Sequence, residues 1–200
     1  ADYPELNFPF DYGGDAQTFS VDDISQCLFY QEEINTTGLI YGMTYYYRNI
    51  AINHQSFPLK VWLAPTEADH LDDGWDLTAD FTLVMDDTIE LRPGEMTELY
   101  IPFETPVLYT NINNLLIQHY AYDCEWPPSV GGTWAESVPD GPNRAVRLMN
   151  SLEADPDDLP DFYGLGTALL KTTFVIQPEA QNGLISGTCF DENNQALPNA

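Results

Sequence analysis

Short runs rich in Tyr, Thr, Ile, Val and Phe, each closed by Pro, Gly, Asn or Asp, recur along the whole chain. β-branched and aromatic side chains favour the pleated surface of a sheet, and the closing residues end it. Strands are expected near Cys27–Gln31, Leu39–Ile52, Leu59–Ala64, Phe81–Met85, Thr97–Phe103, Leu115–Tyr122, Ala145–Met149, Thr172–Ile176 and Leu184–Phe190. Turn signals lie between them, at 54–58, 92–95, 111–114 and 139–142. Over 115–122, alternation sets Leu116, Gln118 and Tyr120 on one face and Leu115, Ile117 and His119 on the other. No ten-residue stretch carries a capped 3.6-residue period. Many short strands of this kind close into a two-sheet sandwich or a barrel. About eight strands, with long connections at 64–79 and 123–143, fit an all-β, antiparallel β-sandwich of jelly-roll type over residues 1–176. A linker at 177–183 then leads to a terminal β-segment, 184–200.

Charge narrows the function classes. The 200 residues are 44% apolar, enough for a sizeable core, and 32 acidic residues face only 6 Lys and Arg, for a net charge of −26. Phosphate binding needs clustered basic side chains, so nucleic acid is excluded as a partner. Docking on anionic lipid is disfavoured for the same reason. No apolar run approaches the roughly 20 residues of a membrane span. Most carboxylates lack a basic partner and must be solvated or neutralised by cations. The opening Ala1-Asp2-Tyr3-Pro4 fits a secreted chain whose leader has been removed. With Cys27, Cys124 and Cys189, the odd count allows three thiols, or one disulfide with one thiol left over.

Several blocks carry a family resemblance. They are 25–34, 38–47, Lys60-Val61-Trp62-Leu63, and Leu99-Tyr100-Ile101-Pro102-Phe103 followed by Tyr109 and 113–117. Arg144, the acidic loop 155–161 and Thr173-Phe174-Val175-Ile176 complete the series. In this order they resemble the jelly-roll "cleaved adhesin" modules of bacterial secreted and surface proteins. Residues 184–200, with Ile185-Ser186-Gly187-Thr188, are similar to the first strand of a carboxypeptidase-regulatory-like domain. The resemblance implies an extracellular, non-catalytic structural or adhesive module. Its partners would be copies of itself or neighbouring domains of one large chain. The terminal segment then has three readings: the start of a second domain, a strand of its own sandwich, or a strand given to a neighbour. In the last case Leu184, Ile185, Cys189 and Phe190 carry assembly, because a lone strand cannot bury its own apolar face.

Three constellations merit chemical reading. Asp155, Asp157, Asp158 and Asp161 form a candidate calcium loop, and calcium is the one cofactor expected, since hard cations take oxygen ligands. Asp69, Asp72, Asp73 and Asp76, with His70 among them, form a second acidic group. Trp75, Trp126 and Trp134 lie in expected loops, where exposed rings stack on sugars. They support the alternative function, a carbohydrate-binding module of a larger secreted enzyme. Trp62, inside a strand, is expected in the core. Catalysis is not expected: exposed loop acids lack the burial that raises a pKa, and no Gly-x-Ser-x-Gly or histidine cluster occurs. Asn35-Thr36-Thr37 matches an N-glycosylation sequon, and Asp87-Thr88-Ile89 resembles a bacterial O-glycosylation triplet.

Overall fold

The computed structural model describes residues 5–7, 23–49, 55–122, 132–134, 136–137, 141–148, 155–159, 161, 163–166 and 169–178. Its strands, in chain order, are β1 (Glu5–Asn7), β2 (Asp23–Phe29), β3 (Gly38–Asn49), β4 (Gln55–Thr66), β5 (Thr82–Leu91), β6 (Gly94–Tyr109) and β7 (Asn114–Ala121). They continue with β8 (Gly132–Trp134), β9 (Glu136–Ser137), β10 (Ala145–Leu148), β11 (Gly164–Gly166), β12 (Leu169–Leu170) and β13 (Thr172–Pro178). A single helical turn, α1 (Gln31–Ile34), follows β2. The fold is all-β and antiparallel. One sheet runs β1-β13-β3-β6 with β8 also on β3, the second runs β11-β10-β2-β7-β4-β5, and β9 and β12 form a short pair.

The two large sheets face each other as a sandwich. Residues of one parity meet between them: Cys27 and Phe29 of β2, Met43 and Tyr45 of β3, Leu59, Val61 and Leu63 of β4, Leu115 and Ile117 of β7, and Phe174 of β13. Phe29 and Phe174 make an edge-to-face contact across the layers, with ring centroids 5.5 Å apart. Gly42 lets β3 and β6 approach, since a Cβ there would sit 2.6 Å from the Ile101 carbonyl oxygen.

The other face of the six-stranded sheet is not left to solvent. Leu28, Leu116 and Val146 form a second apolar cluster with Leu71, backed by Trp75, Phe81 and Tyr163. Ile24 and Leu148 form a third, with Tyr120 and Leu159 against it. The covering residues come from the long connection 67–81, together with Leu159 and Tyr163. This sheet is therefore buried on both faces in its middle, which is why Asn114–Ala121 is apolar at both parities.

The strands expected within the described residues are present with shifted ends. β5 and β6 run on to Leu91 and Tyr109, well past Met85 and Phe103. β13 reaches Pro178, two residues into the expected linker, pairing Pro178 with Gly38. Residues 31–34, expected to close a strand at Gln31, turn helical instead. Leu184, Ile185, Cys189 and Phe190 lie outside the described residues, as do Cys124 and Trp126.

Candidate functional site

The long connection 67–81 is strapped down at several points. The Asp76 carboxylate accepts from the Thr66 hydroxyl at 2.5 Å and from the Thr78 N–H and hydroxyl at 2.9 and 2.7 Å. Burial pushes the Asp76 carboxyl up, but these hydrogen bonds outweigh it and hold its pKa below the ordinary carboxylate value. Asp72 accepts from the backbone N–H and side-chain amide of Asn143 at 2.9 and 2.8 Å, and both lower its pKa. The Tyr30 hydroxyl donates to the Asp69 carbonyl at 2.8 Å. The Tyr163 hydroxyl donates to the Asp73 carbonyl at 3.0 Å.

Gly74 makes the sharpest turn in the connection. Its φ of +99° suits glycine, and a Cβ there would lie 2.4 Å from the Tyr163 ring. Gly74→Ala is expected to cost about 2 kcal/mol from backbone strain alone. A lowered urea midpoint, with a changed near-ultraviolet dichroism from Trp75 and Tyr163, checks it.

Between this strapped loop, the acidic loop and the outer sheet face lies a cavity of about 510 Å³. Gln26 of β2 and Gln118 of β7 form its floor, and Trp62 of β4, Leu77 and Phe81 its walls. Pro156, Asp157, Asp158 and Leu159 close the far side. The floor is held by hydrogen bonds: the Asp76 N–H donates to Gln26 Oε1 at 2.8 Å, and Gln26 Nε2 donates to Gln118 Oε1 at 2.9 Å. Among the described residues, no Lys or Arg lines the cavity.

The two acidic groups seen in the sequence thus flank one site. Among the described residues, no group of three or more His, Cys, Asp or Glu side chains is placed to hold a metal ion. Asp155 instead closes a turn, accepting the Asp157 N–H on Oδ1 at 2.9 Å and the Asp158 N–H on its carbonyl at 3.2 Å. Asp157 and Asp158 reach the cavity, whereas Asp161 is exposed away from its lining. Trp75 packs edge-to-face on Tyr163, with centroids 6.1 Å apart, and does not line the cavity. Trp134 belongs to β8, in register with Tyr47. Trp62, expected in the core, sits on the outer face because its parity on β4 opposes that of Val61 and Leu63, and it supplies the indole of the site. Gln26, Gln118 and Phe81 were not singled out as site residues in the sequence; the one available signal was a polar residue in the middle of an apolar strand.

A Ser–His–Tyr group lies elsewhere, sealed between the sheets. Tyr45 Oη is 2.6 Å from His119 Nε2, and Ser25 Oγ is 3.5 Å from Nδ1. All three residues are buried, so no substrate reaches them. Cys27 is a buried thiol of the same core. No protein-family model matches the chain, and no curated protein matches its sequence.

Proposed function

We propose that this chain is an exported, non-catalytic structural or adhesive module, wound as a jelly roll, that joins its neighbours by β-strand addition. The observation that carries this reading is the open flank of the sandwich. Among the described residues, β5 pairs only with β4 and β6 only with β3, so both present a free edge. A groove of about 270 Å³ separates them, with Met85, Ile89, Leu99 and Phe103 beneath and Asp87, Glu90 and Glu104 along its rim. Free backbone donors and acceptors above an apolar floor are what an added strand needs. The acidic rim selects against most of so acidic a chain, but Leu184–Phe190 carries no charge. That segment of a neighbouring copy is the strand expected to dock. The sealed position of the Ser25–His119 pair supports a role without catalysis.

Light scattering on the whole chain, beside a version ending at residue 183, tests the proposal. Assembly is expected to vanish with the deletion and to be blocked by a synthetic 184–190 peptide. An unchanged size distribution rules out strand addition.

A further inference from the structure

We propose that the cavity on the outer face of the six-stranded sheet binds a neutral sugar, with Gln118 as its floor donor and Trp62 as its stacking wall. The orientation of the two floor amides is not arbitrary. The backbone N–H of Asp76 needs an acceptor and finds it in Gln26 Oε1. Gln26 must then offer its NH₂ group to Gln118, whose Oε1 accepts. This relay leaves the NH₂ of Gln118 facing the cavity, and it meets no acceptor among the described residues. Gln118 is only 4% exposed as a residue, but its amide nitrogen is not a buried atom left without a partner, so the cavity keeps this donor open to water or a ligand. A ligand oxygen would satisfy it.

The surrounding groups select the class of ligand. The floor presents N–H donors, so a metal cation is repelled there. Asp157 and Asp158 on the rim, with no basic residue among the described lining residues, repel anions. A neutral ligand that both accepts and donates fits both constraints. Its hydroxyls donate to the Asp157 and Asp158 carboxylates and accept from Gln118. Its C–H face lies on the half-buried Trp62 and Phe81 rings. A pyranose has this combination, and about 510 Å³ falls within the roughly 300–1,000 Å³ of small-molecule sites. The site uses neither Trp75 nor the strand-accepting groove, so it stands or falls apart from the assembly proposal.

The test is a ¹H–¹⁵N titration of the whole chain with neutral hexoses, N-acetylhexosamines and their short oligomers, alongside glucuronate and calcium chloride. Saturable shifts of the Gln118 side-chain amide pair by at least one neutral sugar are expected, with no response to glucuronate. Trp62→Leu is expected to weaken binding at least about tenfold, the worth of one lost contact of this kind, and Gln118→Leu by a similar factor. Trp75→Phe should leave affinity unchanged. The wild-type amide shift needs no variant, so a misfolded Gln118→Leu protein does not blunt the test. Silence of that amide pair toward every sugar, a response to calcium or glucuronate instead, or full affinity in Trp62→Leu overturns the proposal.

Discussion

Replacing Arg144 by methionine is expected to destabilise the fold by about 3 kcal/mol, the cost of breaking a buried ion pair from one side. The Arg144 side chain is 3% exposed and that of Glu33 is 31% exposed. The guanidinium pairs with both Glu33 oxygens, Nη1 lying 2.8 Å from Oε1 and Nη2 closing on Oε2. Its Nε donates to the Leu28 carbonyl at 3.0 Å, and its Cζ lies over the Tyr30 ring, 3.9 Å from the ring centre. Glu33 also accepts the Tyr30 backbone N–H at 2.9 Å, the reciprocal half of the cap on α1. One residue thus ties the end of β2, the cap of α1 and the start of β10 together. Methionine fills the space but strands the Leu28 carbonyl and the Glu33 charge. Lysine is not expected to rescue the loss, because a point charge lacks the planar fork. Urea midpoints of Arg144→Met, Glu33→Gln and the double variant form the check. A coupling energy near zero would show that the pair carries no stability.

Acidification is expected to weaken the protein between about pH 6.5 and pH 3, well before its carboxylates account for the loss. Burial lowers the His119 pKa from 6.5 to about 3. Above pH 6.5 the imidazole is neutral in both folded and unfolded chains, and contributes nothing. Below it the unfolded chain takes up a proton that the folded one refuses, so stability rises with pH across this window. At pH 5 the deficit is about 2 kcal/mol relative to pH 8. Asp72 and Asp76 act in the same direction, but only near and below pH 3.8, where their lowered pKa values begin to matter. His119→Gln should flatten the profile between pH 5 and pH 7. Denaturant midpoints against pH for both proteins measure it; parallel profiles would remove His119 as the cause.

The candidate site was legible in pieces only. Asp76, Asp157 and Asp158 stood out as acids, but their clusters are 80 residues apart in the chain, and only the wrapped loops bring them to one cavity. Gln26 and Gln118 were not read as site residues; Gln118 was only set on one face of its strand with Leu116 and Tyr120. They matter because they meet: β2 and β7 place Gln26 directly opposite Gln118. Trp62 read as core because it lies inside a strand, whereas it sits on the sheet face that the loop at 67–81 covers. The strand ends were misread for a related reason. Pro106 looks like a breaker, yet it lies on the edge strand β6. Pro106 falls in the stretch where β6 leaves β3 between Pro102 and Val107.

Composition and local order were enough to determine an all-β antiparallel sandwich, the places of its longer strands and a surface hostile to anions. Those properties depend on side-chain propensity and total charge, which act over a few residues or over the whole surface at once. Which strands lie side by side, which face of a sheet is covered, and which polar groups are left facing a cavity depend on contacts between residues far apart in the chain. Hydrogen-bond partners such as Gln26 with Gln118, or Arg144 with Glu33, are chosen only when packing brings them within reach, so tertiary structure alone decided them.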